Sequence, residues 1–316
     1  MPANRASDAK AQENSHGIGI KPLPFALGAE VVCGDIRRLT DAQMAIIYKA
    51  WLGNLVLLFR EQTLSDDDLC AFTRHFGELK DVLPAHQRAV GVESLGNPNI
   101  SVISNVVENG VPLGSLGDGE AEWHTDYNFN EKPYAAATLY ALEVPPAGGN
   151  TGWSNMYAAY DALAPALRER IEGLTIKHDE SYNAAGILRR GYEPVSDLRS
   201  SPGPSHPIVR THPETGHNFL YLGRRLHAYV NGFDLDQSEA LLNELWAHAE
   251  SVRFQWEHQW RVGDLIIWDN RCTMHHRDAF DPGSRRIMHK TQTKGDRPFH
   301  SPPADQHGAH PRAAPP

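Results

Sequence analysis

Cysteine is scarce in this chain of 316 residues: Cys33, Cys70 and Cys272 stand far apart, and no two have zinc-finger spacing. An odd number of scattered thiols argues against a disulfide framework and for a reducing compartment, so a cytoplasmic protein is expected. Long apolar runs are also missing. No stretch approaches the ~20 residues of a membrane helix, and Met1–Gly17 lacks the apolar centre of a secretory signal. Positive charge is in deficit, with 30 Lys and Arg against 39 Asp and Glu, a formal net charge of -9 and a pI near 6.0. That balance argues against nucleic acid as the partner, because phosphate binding leaves a basic footprint. A local basic pocket for a small anion stays open. The expected partner is therefore a small molecule, with neither nucleic acid nor membrane.

What is present is ordinary globular material, 41% hydrophobic and 22% charged. Residues 1–17 and the Pro/His/Ala-rich stretch 297–316 read as disordered tails around one domain spanning 18–296. Strands are predicted at Val31–Cys33, Asn54–Arg60, Asn99–Ser104, Ala135–Val144, Thr151–Ser154, Pro207–Arg210, Asn218–Leu222, Arg253–Trp256, Asp264–Trp268 and Arg286–Gln292. Helices are predicted after the caps Thr40 and Ser65, over Met156–Ile171 and over Ser238–Ser251. Glu108–Glu120 reads as a Gly-rich loop, and 180–206 as a long excursion or lid. Many strands with few helices imply a mainly β core with helices outside, a barrel-like double sheet of jelly-roll type.

The stretch that carries chemistry is Glu122-Trp123-His124-Thr125-Asp126-Tyr127. Alternate residues of a strand share a face, so His124 and Asp126 can aim an imidazole and a carboxylate at one point. That is two thirds of a facial 2-His-1-carboxylate site for iron(II). A third ligand lies in Asp269-Asn270-Arg271-Cys272-Thr273-Met274-His275-His276, and geometry alone leaves His275 and His276 open. Downstream, alternation puts Arg286, Met288 and Lys290 on one strand face and Arg285, Ile287 and His289 on the other. Cations facing a β core are costly unless they meet an anion, and a guanidinium fits a carboxylate in bidentate fashion.

These blocks together resemble the taurine dioxygenase / 2,4-dichlorophenoxyacetate dioxygenase family of iron(II)/2-oxoglutarate-dependent oxygenases. The resemblance rests on Trp123-His124-Thr125-Asp126, Gly148-Gly149-Asn150-Thr151, Gly263-Asp264-Leu265, Trp268-Asp269-Asn270-Arg271, Thr273-Met274-His275 and Arg285–His289, spread over about residues 20 to 296. It implies a double-stranded β-helix fold, iron ligands His124, Asp126 and His275, and a 2-oxoglutarate carboxylate held by Arg286 and Thr151. It implies Fe(II), 2-oxoglutarate and O2 as cofactor and cosubstrates, hydroxylation of an unactivated C–H bond with release of succinate and CO2, and a homo-oligomer, dimer or tetramer. The same residues would serve desaturation, cyclisation or heteroatom–carbon cleavage, or a non-catalytic sensor of metal and 2-oxoacid.

Departures from the family pattern bear on substrate. Lys290 stands where the taurine enzymes place a sulfonate-binding arginine, and Glu120 stands where they place an asparagine. After Phe76-Gly77-Glu78-Leu79, Val82 and Leu83 replace the sulfonate-binding histidine, and His86 is displaced from it. Together these argue against taurine and for a larger or more apolar substrate with an anionic group near Lys290. Val82 and Leu83 are candidates for an apolar wall.

Overall fold

The structure is a computed structural model that describes residues 12–13, 17–80, 97–182, 186, 188–189 and 191–302. Its centre is a nine-stranded sheet facing a four-stranded one. In the large sheet Val56–Phe59, Leu265–Asp269, Ala136–Glu143, Ile287–Gln292 and Ser101–Ser104 lie side by side, all antiparallel. The small sheet runs Gln255–His258, Thr151–Asn155, Thr273–Arg277, Ala121–His124, again antiparallel. Together they form the jelly-roll expected from the strand-rich pattern.

Alternation explains why the central strands read as unbroken apolar runs: both faces are covered. Leu57, Phe59, Leu265 and Ile267 pack outward against Met44, Ile47 and Trp51 of helix Asp41–Asn54 and Leu69 and Phe72 of helix Asp66–Arg74. Val56, Leu58, Ile266 and Trp268 face the other way, into a core shared with Trp153, Met274 and helix Leu235–Ala249. Capping boxes start the two outer helices, Thr40 with Gln43 and Ser65 with Asp68, as the cap residues suggested.

Several elements differ from expectation. The span 156–171 is two helices, Met156–Asp161 and Pro165–Ile171, because the proline begins a new first turn rather than continuing the old one. The loop 108–120 carries strand pairing: Val107–Glu108 with Val111–Pro112, and Ser115–Leu116 alongside Ser101–Ser104. Described residues lie within both stretches expected as tails. Gln12 and Glu13 pair with Ile20 and Gly19. At the other end, Thr211 N donates to Phe299 O at 2.8 Å, and Ser301 N donates to Thr211 Oγ1 at 2.8 Å, so Phe299 and Ser301 are docked on the Val209–Thr211 strand. Within 180–206, Leu198–Ser200 forms a 3-10 turn and Ser205–Pro207 pairs with Thr175–Lys177. No helix among the described residues is long and apolar enough to cross a membrane.

Candidate active site

The small sheet brings His124 and His275 opposite each other as cross-strand partners. Asp126 arrives differently from the expected strand alternation. The strand ends at His124, and Thr125 N turns away to Gly223 O at 2.8 Å, so Asp126 sits in the following turn. Asn270 then clamps its backbone: Asp126 N donates to Asn270 Oδ1 at 2.9 Å, and Asn270 Nδ2 donates to Asp126 O at 3.0 Å. The carboxylate is thereby carried back to the two imidazoles. Asp126 Oδ1 lies 3.7 Å from His124 Nε2 and 3.8 Å from His275 Nε2.

Those separations are too long for good hydrogen bonds and suit donors arranged around a shared ion. The donor set also fits. His124 Nδ1 lies 2.6 Å from the carbonyl of Glu122, which only accepts, so that nitrogen carries the proton and Nε2 presents its lone pair. His275 Nδ1 has no partner among the described residues. Burial, then the neighbouring His124, holds the His275 imidazole well below its ordinary pKa and hence neutral. Burial pushes the Asp126 carboxyl up, but Lys290 and the two imidazoles outweigh it and leave the group well below the usual carboxylate range. Two imidazoles and a carboxylate within 4.8 Å of one another match what iron(II) takes.

His276 points to the other face of its strand. Its ring packs at a tilt against Trp123, centroids 4.2 Å apart, and its Nδ1 lies 3.7 Å from Asp278. It borders the same pocket, yet it is His275 that groups with His124 and Asp126.

Around these side chains is a pocket lined by Ile103, Leu116, Leu139, Thr151, Trp268, Arg277, Arg286 and Lys290. Arg286 is 1% exposed, and its Nε and Nη1 find no hydrogen-bond acceptor among the described residues. Burial and the nearby Arg277 push it down to about 9. Room for it comes from Gly149, at φ 63, where an added Cβ would lie 3.3 Å from the Arg286 side chain. Thr151 Oγ1 accepts a hydrogen bond from Trp260 Nε1 at 2.9 Å and faces the same pocket. Lys290 lines it too, with its ammonium 5.3 Å from the Trp268 ring and donating to Asp126 Oδ2.

The remaining expected substrate residues fare differently. Val82, Leu83 and His86 lie outside the described residues. Glu120 is exposed and is not among the lining residues. Arg224, in a pair of arginines that reads as solvated surface charge in the sequence, is instead buried, donating to the carbonyls of Tyr182 at 2.7 Å and Asp179 at 2.9 Å. Three residues near the site went unremarked in the sequence. Arg277 follows His275 by two on one strand and Gln292 follows Lys290 by two on another, so alternation could have found both. Lys80, pushed down to about 8 by burial and by Lys290, donates to Ser101 Oγ at 2.6 Å. Nothing local in the sequence marks it.

A jelly-roll that holds two histidines and a carboxylate beside a buried arginine, with Nε and Nη1 unpartnered among the described residues, defines a non-haem iron(II) oxygenase that takes a 2-oxoacid. Residues 19–292 match the taurine catabolism dioxygenase TauD, TfdA family, and the chain belongs to it. Among similar proteins, the (S)-phenoxypropionate/alpha-ketoglutarate-dioxygenase of Sphingobium herbicidovorans is 31% identical, covering 89% of this chain and 96% of that one. The alpha-ketoglutarate-dependent 2,4-dichlorophenoxyacetate dioxygenase of Cupriavidus pinatubonensis is 33% identical over 88% of this chain and 96% of its own. A solved structure of AAD-2 in complex with Mn(II) and N-oxalylglycine superposes with a TM-score of 0.72 at 29% identity, covering 89% of this chain and 98% of that one. The chain is thus an iron(II)- and 2-oxoglutarate-dependent dioxygenase of small molecules, using O2.

Proposed function

We propose that His124, Asp126 and His275 hold the iron, that Arg286 and Thr151 hold the distal carboxylate of 2-oxoglutarate, and that Lys290 receives the acidic group of a small, largely apolar substrate. The observation that carries this reading is the buried Arg286 guanidinium, whose Nε and Nη1 have no acceptor among the described residues, in the pocket that also holds the three ligands. An unpaired buried charge is expensive, and a dicarboxylate cosubstrate would satisfy it in bidentate geometry. Bound iron(II) with 2-oxoglutarate supplies the oxidising power: one oxygen atom of O2 goes to succinate with loss of CO2, and the other becomes the substrate hydroxyl.

The chain's own residues then do the positioning. Lys290 orients the substrate through its acidic group, as a point charge rather than a fork. Ile103, Leu116, Leu139 and Trp268 give the body of the substrate an apolar, water-poor wall. The phenoxy acids named for the relatives pair an acidic group with an apolar ring, which supports this division. We also read 18–296 as the dioxygenase domain of a cytoplasmic homo-oligomer, dimer or tetramer, supported by the family resemblance and by free Cys33, Cys70 and Cys272.

The test is substrate-dependent succinate release under iron(II), across phenoxyacetates, 2-phenoxypropionates, alkyl sulfates, matched neutral ethers and taurine. Acidic apolar compounds should turn over, and Lys290→Met should raise their KM far more than that of the neutral ethers. Preference for the neutral ethers, or for taurine, would refute the substrate assignment. A monomer mass by sedimentation equilibrium would remove the oligomer.

A further inference from the structure

The carboxylate of Asp126 has two oxygens, and the fold treats them differently. Oδ1 faces the two imidazole nitrogens at 3.7 and 3.8 Å. Oδ2 is turned away from them and accepts from organic donors: Gln292 Nε2 at 3.0 Å and the Lys290 ammonium. Both donors come from the Ile287–Gln292 strand, two residues apart on its inner face.

The donors are not equivalent. Lys290 is half-buried and borders the pocket. Gln292 is 1% exposed and is not among the pocket's lining residues. Its backbone is fixed on both sides, paired with Ala137 in the sheet and accepting from Lys80 N at 2.8 Å through its carbonyl. A neutral amide held this firmly offers Asp126 a hydrogen bond that no ligand entering the pocket can compete for. An ammonium on a flexible stem beside the pocket can be drawn off by an incoming anion.

We propose that Gln292 is a positioning residue for the iron: its amide ties up Asp126 Oδ2 so that the carboxylate meets the metal through Oδ1 alone. The inference rests on the ligand assignment above and deepens it. A carboxylate free to rotate would chelate through both oxygens and take a coordination position that a chelating 2-oxoacid and O2 need. With Asn270 clamping the Asp126 backbone and Gln292 clamping its carboxylate plane, Lys290 is left available for substrate. Hydrogen-bonded partners of metal-bound carboxylates tune affinity in this way in metal sites generally.

The experiment uses the full chain, titrated anaerobically with Co(II) by calorimetry and by visible absorption, alongside thermal unfolding of the metal-free protein. Gln292→Met keeps the length and removes the donor, and should weaken Co(II) binding by about 10–100-fold. Its Co(II) spectrum should shift toward higher coordination number as the carboxylate chelates. Gln292→Glu keeps the shape but faces Asp126 with an acceptor, and should bind more weakly still; it also serves if the methionine variant does not fold. A lower unfolding temperature with Co(II) affinity and spectrum unchanged in both variants would make Gln292 a packing residue and overturn the proposal. Loss of Co(II) binding in Asp126→Ala, with both Gln292 variants like wild type, would sink this proposal and leave the ligand assignment intact. A wild-type chain that takes up no Co(II) would sink both.

Discussion

Among the described residues, two largely buried groups hold a histidine and an aspartate at metal-ligand spacing, and only one of them has the character of a site. In the first, His212 Nε2 meets Asp269 Oδ2 at 3.0 Å, while Arg271 donates Nε to Oδ1 at 2.9 Å and Nη2 to Oδ2 at 2.7 Å. His212 Nδ1 accepts from the backbone of Glu214 and Thr215 at 3.2 Å, and Arg271 Nη1 reaches Glu214 at 2.7 Å. With Cys272 beside them these residues have the spacing of a metal site. Yet the His212, Asp269 and Arg271 side chains already have partners inside the protein. The second cluster, His124, Asp126 and His275, keeps its donor atoms 3.7–3.8 Å apart, and nearby His275 Nδ1 and Arg286 Nε and Nη1 remain unpartnered among the described residues. Residue type does not separate the clusters. Satisfaction does: a closed network holds a fold together, and an open one awaits ligands.

The comparison breaks first at its aspartates. Asp126→Ala should reduce succinate release to background while lowering the urea unfolding midpoint far less than Asp269→Ala does, since the Lys290 ammonium it frees borders the pocket. Asp269→Ala should do the reverse, costing roughly 3–5 kcal/mol because it strands the buried Arg271, and its folded fraction should still take up iron. If both substitutions chiefly cost stability, the clusters are alike and the distinction fails.

The arginines sharpen it. Arg286→Met should cost about 2–4 kcal/mol of 2-oxoglutarate binding, seen as a raised half-saturating concentration. It should leave the ligand-free protein as stable as before or more so, since an unpaired buried charge is removed. Arg271→Met should destabilise and leave 2-oxoglutarate affinity unchanged in the protein that folds. Equal effects on stability would count against reading Arg286 as unpaired.

A smaller effect comes from a third histidine group. Burial pushes His206 down to about 4, and its ring donates to Asn130 O at 2.9 Å. Because the folded value lies below the ~6.5 of the unfolded chain, the unfolded state binds more protons between the two. Stability is then undiminished above pH ~6.5 and falls as pH drops toward 4, by on the order of 3 kcal/mol at most. His206→Gln should flatten that part of the stability–pH curve measured by urea unfolding. An unchanged slope would mean His206 is not held neutral.

Much of this was legible in the sequence because it depends on period. Alternation placed Arg286, Met288 and Lys290 on one face, and the structure turns Arg286 and Lys290 into the pocket. Thr40 and Ser65 mark their helix starts in the sequence, and the structure completes each with a capping box. What escaped depends on contacts between distant segments. The approach of Asp126 was expected from strand alternation, whereas it is delivered by Asn270 across 144 residues. Lys80 reaches Ser101 only because Leu79 bridges to Thr293 beside the Ile287–Gln292 strand. His212 and Asp269, 57 residues apart, gave no local sign of belonging together.

The central claim is that the open cluster, with His275 and not His276 as its third member, holds the iron. Anaerobic addition of iron(II) and 2-oxoglutarate, followed by the visible charge-transfer absorption of their complex, tests it most directly. A band is expected in wild type and in His276→Ala, and none in His124→Ala or His275→Ala. A band that survives in His275→Ala, or disappears in His276→Ala, would contradict it.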